Sequence, residues 1–176
     1  MKGILKRIIP ILLLAAMVPL AAAAEELGDY AIDFSAVTID GTRVTLSTDY
    51  AGKLILMDFW ATWCEPCMEE VPGLVKAYKD FSKRGVAFLG ITLDSPSDLA
   101  KVRSTMKAKG MAWPQVFDDG SDIDGEGTII SEAYMVEGIP FPLLIDGDTG
   151  LILARDVELR GSSLAESIEK ALTSKE

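Results

Sequence analysis

The only two cysteines of this 176-residue sequence are separated by two residues in Trp63-Cys64-Glu65-Pro66-Cys67. Thiols so close together can share a disulfide that opens and closes, which is redox chemistry. A structural disulfide stabilises by closing a long loop of the unfolded chain, and this four-residue ring closes almost none. A structural zinc ion takes about four ligands, and a chain with no histidine and no second cysteine pair does not supply them. Soft sulfur pairs also bind copper(I), so copper(I) handling is a second function class. Against it, Met68 alone adjoins the motif, with no methionine or histidine tract.

The segments around the pair are those that disulfide exchange needs. Leu54-Ile55-Leu56-Met57-Asp58-Phe59-Trp60 is a nearly unbroken apolar run after Gly52-Lys53, which predicts a strand buried on both faces of a sheet. Asp58 is its one charged residue. Beyond the motif, Val71, Leu74, Val75 and Tyr78 recur at helical spacing to about Phe81, with Pro66 in the first turn and Pro72 expected to kink the helix. Cys64 therefore falls at a helix start, where free backbone N–H groups and the helix dipole favour a thiolate. It is expected to be the attacking sulfur. Cys67, one turn inside, is expected to be more buried and to resolve the mixed disulfide.

The rest of the chain supplies a scaffold. Residues 33–46 alternate around an Asp40-Gly41 turn and predict a hairpin. Residues 86–93 form a second buried-strand pattern. Ser95-Pro96-Ser97-Asp98 has the form of a helix start, followed by Leu99, Val102 and Met106 as an apolar stripe. Residues 113–117 predict a short strand and residues 128–136 a short helix. Residues 118–127 are rich in Asp and Gly, but their acids miss the spacing of a calcium loop, so they predict a plain loop. Residues 141–145 and 151–154 flank a turn, and a capping box, Ser163-Leu164-Ala165-Glu166, opens a last helix with Leu164, Ile168, Ala171 and Leu172 on one face. The order predicts a three-layer α/β fold with helices on both sheet faces.

At the N-terminus, Lys2, Lys6 and Arg7 precede an apolar stretch over residues 8–20 and a run of alanines ending at Ala24. This is the pattern of a secretory signal. Residues 1–24 are expected to be a cleaved leader, the alternative being an uncleaved anchor, and residues 25–176 one domain. Without the leader, 14 basic residues face 27 acidic ones, a net charge of −13. Such a surface repels phosphate backbones and argues against a nucleic-acid partner. An exported redox pair works where disulfides persist, in the periplasm or on the outer face of the cytoplasmic membrane.

The stretch from Gly52 to Pro72, GKLILMDFWATWCEPCMEEVP, resembles the signature of exported TlpA/ResA-like thiol–disulfide oxidoreductases of the thioredoxin superfamily. A second matching block is Gly138-Ile139-Pro140 followed by Leu143-Leu144-Ile145-Asp146. The resemblance implies a thioredoxin-like fold with an N-terminal β-hairpin extension and a helical insertion around residues 95–111. It implies a cis-proline at Pro140 facing the cysteines, a proton acceptor at Asp58 beneath Cys67, and a second acid at Glu70. A partner strand would lie against Trp63, Glu65, Pro66, Ile139 and Phe141. The cofactor set is empty apart from the Cys64–Cys67 disulfide itself.

The implied activity is reduction of disulfides in specific client proteins, such as apocytochrome c or a copper-site cysteine pair, by a monomer recharged by a membrane thiol–disulfide electron donor. Asp58 stands where this group often has Asn. Phe141 and Pro142 replace small hydroxylated residues, which touches the client range and not the fold. The related peroxidases need a threonine three residues before their cysteine, and Ala61 is there.

Overall fold

The apolar run becomes the central strand, β3 (Leu54–Trp60), every residue of which is buried. The computed structural model describes residues 29–120 and 129–175; the leader expected at residues 1–24 lies outside them. Before β3 come the hairpin β1 (Ser35–Val37) and β2 (Arg43–Thr45) and a single turn, α1 (Leu46–Asp49). After it come α2 (Glu65–Phe81), β4 (Val86–Thr92), α3 (Leu99–Lys109), β5 (Gln115–Phe117), α4 (Ile130–Ala133), β6 (Phe141–Asp146), β7 (Ile152–Arg155) and α5 (Ser163–Lys175). The main sheet has the order β5-β4-β3-β6-β7, with β3, β4 and β5 parallel and β6 and β7 antiparallel. The helical segment expected around residues 95–111 is the crossover joining parallel strands β4 and β5.

Side-chain alternation along β3 divides the core in two. Leu54, Leu56 and Trp60 pack with residues of α2, α3 and α5, whereas Ile55, Met57 and Phe59 pack with the hairpin, α1 and α4. All three long helices thus share one face, and the second face is closed by the hairpin and two single turns. The reason is handedness: β3-α2-β4 and β4-α3-β5 both step the same way across the sheet, so right-handed crossovers place α2 and α3 on one side. Each fully buried apolar side chain of β3 contributes about 1.5–3 kcal/mol of burial. By the same alternation Asp58 faces the α2 side, directly following Leu54 and Leu56 in register.

Three local expectations change. α2 runs unbroken through Pro72, which lies on its exposed side. The helix expected over residues 128–136 is only α4, because Tyr134 is pinned by its hydroxyl to the Ile32 carbonyl at 2.7 Å and Met135 turns the chain at φ 52° towards residues 138–140; residue 128 and most of the Asp/Gly-rich segment lie outside the described residues. Ser163 is the first residue of α5 instead of a cap before it, its N–H bonding the Arg160 carbonyl at 3.1 Å. Among the described residues no helix is long and apolar enough to cross a membrane.

Candidate active site

Cys64 and Cys67 are joined by a disulfide, and Cys64 is the N-cap of α2. The Cys67 N–H points at Cys64 Sγ at 3.1 Å, so one of the unpaired donors of the helix start is spent on that sulfur. Both cysteines are buried, Cys67 more so, at 2% against 5%. Pro66 lies in the first turn, where a missing N–H costs nothing. Glu65 and Pro66 are exposed, and Trp63 is 62% exposed beside the disulfide.

The approach to the motif is held by contacts that sequence patterning did not reveal. Trp60 is core, and its Nε1–H donates to Gln115 Oε1 at 2.8 Å. Gln115 reaches it across Gly90, where a Cβ would stand 1.7 Å from that oxygen, so a larger residue there would push Gln115 off Trp60. The buried Asp94 accepts the Thr62 N–H at 2.7 Å, the Thr62 hydroxyl at 2.5 Å and the Thr92 hydroxyl at 2.8 Å. Asp94 thereby fixes Thr62, two positions before Cys64, by both its N–H and its hydroxyl.

The Ile139–Pro140 peptide is cis. Pro140 is buried, and the Ile139 carbonyl oxygen lies 3.7 Å from Cys64 Sγ, which places this loop against the disulfide. Phe141 opens β6 opposite Phe59, and its ring rests tilted on the Phe59 ring at 6.4 Å between centroids. It is half-buried. Its remaining surface lines an open groove of about 380 Å³ with Met135, Glu137, Ile139, Asp156 and Arg160. Phe141 is therefore both a core residue and a groove residue.

Asp58 is 5% exposed. Burial pushes its pKa up to about 7, against the opposing pull of the Arg160 guanidinium and with a further push from Glu70. A carboxyl so placed exchanges protons near neutrality. Glu70 is half-buried and accepts the Gly161 N–H at 3.0 Å. Of the residues singled out from the sequence, the structure gathers Cys64, Cys67, Pro66, Ile139 and Pro140 around the disulfide, whereas the Phe141 ring turns onto Phe59 on the other sheet face; Asp58 feels the charge of Glu70. Among the described residues no group of three metal-ligating side chains occurs.

A family model, the AhpC/TSA family, matches residues 27–166. The chain belongs to this family. Within it, the chain is similar to the thiol-disulfide oxidoreductase ResA of Geobacillus kaustophilus, 31% identical over 142 residues that cover 77% of this chain and 76% of that one. ResA of Bacillus thuringiensis subsp. konkukian is 29% identical over 147 residues, 84% of this chain and 77% of the relative. Among solved structures, the thioredoxin domain of a thiol-disulfide oxidoreductase from Bacteroides vulgatus superposes with a TM-score of 0.68 at 30% identity, covering 82% of this chain and 96% of that domain. A thioredoxin-family thiol:disulfide interchange protein from Chlorobium tepidum gives 0.67 at 30% identity over 82% and 97%. The thioredoxin-like fold and the enzyme class, thiol–disulfide oxidoreductase, follow for this family member.

Proposed function

We propose that this protein is an exported reductase of client-protein disulfides, acting in the periplasm or on the outer face of the cytoplasmic membrane. The observation that carries the reading is the Cys64–Cys67 disulfide at the N-cap of α2, on the sheet face that also buries Asp58. In the reduced protein the Cys64 thiolate attacks one sulfur of a client disulfide. An S–S bond forms between Cys64 and the client, and the other client sulfur leaves as thiolate. Cys67 passes its proton to Asp58 and attacks the Cys64 sulfur, closing Cys64–Cys67 and releasing the second client sulfur. Two electrons move to the client, and a membrane thiol donor restores the dithiol. The client strand lies along Ile139 and Phe141, with Trp63, Glu65 and Pro66 at its edge and cis-Pro140 behind it. The resemblance names apocytochrome c or a copper-site cysteine pair as clients.

Electron flow in this direction needs a reducing poise, and the charges near the motif provide the reason for one. Glu65 and Glu69 are exposed and Glu70 half-buried around the start of α2, so negative charge opposes the dipole and disfavours a very stable thiolate. The potential is expected in the reducing half of the span between about −270 mV for thioredoxin and about −120 mV for DsbA. Equilibration with glutathione or dithiothreitol buffers measures it; a value at the oxidising end rules out a reductase.

Phe141 narrows the clients. The part of its ring that faces the groove favours a small or apolar residue beside the target cysteine and excludes a bulky one. Phe141→Thr is expected to raise kcat/KM towards insulin and leave the potential unchanged. It also costs about 1–3 kcal/mol of stability through the lost contact with Phe59. Lost stability with unchanged insulin kinetics would show that the ring serves only the core.

A further inference from the structure

The link between β7 and α5 carries a guanidinium to the back of the cis-proline loop. Arg160 donates from Nη2 to the Pro140 carbonyl and forms an ion pair with the Asp156 carboxylate. The next residue, Gly161, donates its N–H to Glu70 on α2. Asp156 is held at φ 50°, a left-handed conformation that non-glycine residues seldom adopt. Such a conformation persists where the surroundings over-determine it, and here its carboxylate is the counter-ion of Arg160. The Arg160 side chain is 32% exposed and lines the groove with Ile139 and Phe141.

We propose that Arg160 is a positioning residue for disulfide exchange, tying the loop that receives the client strand to the buried acid through one fixed guanidinium. Arginine suits this because its planar fork can serve a carbonyl and a carboxylate together, which a lysine ammonium does less well. The second half of the role rests on the reading of Asp58 as the proton acceptor for Cys67. The charges that Asp58 meets are few. Its strand partners are Gly90 on β4 and Pro142 on β6, which carry none, and the buried residues of α5 are Leu164 and Ile168. From α2 come Glu70 and, in the reduced protein, the Cys67 thiol; from the link comes Arg160, with Asp156 as its counter-ion. Among the described residues Arg160 is thus the one cation acting on Asp58, and it favours the ionised form.

The test compares Arg160→Gln, Arg160→Lys and Asp156→Asn in the full chain. The Asp58 carboxyl is followed by carbon NMR across pH in the reduced protein, alongside insulin-reduction kinetics. Arg160→Gln is expected to move the Asp58 titration to higher pH and to raise KM about threefold or more as the loop loosens. Arg160→Lys should keep the titration near its original place while KM rises. Asp156→Asn frees the guanidinium from its counter-ion and should move the titration to lower pH, an opposite sign that keeps the test valid should Arg160→Gln fail to fold. An Asp58 titration unmoved in Arg160→Gln, or in Asp156→Asn where Arg160→Gln does not fold, overturns the proposal. A moved titration with turnover unchanged at every pH overturns instead the assignment of Asp58 as proton acceptor and leaves the placement of Arg160 standing.

Discussion

Asp58→Asn is expected to make the folded protein more stable at pH 8 while slowing its turnover, a combination that a merely structural aspartate does not produce. Asp58 has a folded pKa of about 7 against an ordinary value of 3.8, because burial disfavours its charge. Between those values the folded state holds a proton that the unfolded state has released. Stability therefore falls as pH rises through the window from about 4 to about 7, and stays lowered above it. At about 1.4 kcal/mol per pH unit the full loss is slightly above ~4 kcal/mol as an upper bound. An asparagine carries no charge but buries an amide, which returns part of the gain.

The variant is thus expected to match the parent below pH 4 and to exceed it by about 1–3 kcal/mol at pH 8. Urea unfolding of the oxidised protein at several pH values measures this, with the oxidised state chosen so that no thiol titrates. In the same variant, release of product from the mixed disulfide should slow by about tenfold or more near neutrality, since Cys67 loses its proton acceptor. Equal stability and an equal pH profile would reduce Asp58 to packing and make Glu70 the better candidate.

The parts of the molecule legible in the sequence were those governed by local pattern. The buried strand Leu54–Trp60, the motif at a helix start and the helix ending at Phe81 appear with the expected bounds, because apolar runs, helical spacing and a first-turn proline act over a few residues. The cis-proline was legible only through resemblance, since nothing in the composition of Gly138-Ile139-Pro140 requires a cis bond. The restraints on the site were not legible. Trp60 and Gln115 are 55 positions apart, Thr62 and Asp94 are 32 apart, and Pro140 and Arg160 are 20 apart. Such polar pairs form only once strand order and crossover hand are set, and a lone Arg before Gly161 reads in sequence as an ordinary surface residue. Phe141 shows the same limit in reverse. Strand register turns one side of its ring onto Phe59, which spacing alone did not specify.

The largest expected effect belongs to the two sulfurs, and it is asymmetric. Cys64 caps α2 and receives the Cys67 N–H, so a negative charge on Cys64 meets both a hydrogen-bond donor and the positive end of the helix. A thiolate on Cys67, inside the first turn, receives no such donor from the helix start. Limiting iodoacetamide should therefore label Cys64 before Cys67 in the reduced protein. Cys64→Ser removes the attacking sulfur, and insulin reduction should fall to background. Cys67→Ser leaves the first attack intact and removes the second. The resolving step is intramolecular, with an effective concentration that for well-oriented groups reaches about 10⁵ M or more, so no external thiol at millimolar concentration replaces it. Breakdown of the mixed disulfide should slow by about 10³-fold or more, and a covalent complex with a disulfide-bearing client should accumulate on a non-reducing gel. That complex should form through Cys64 alone. Its appearance with Cys64→Ser, or faster labelling of Cys67, would reverse the roles and would place the client groove on the inner side of the helix start, away from the Ile139 carbonyl that lies 3.7 Å from the Cys64 sulfur.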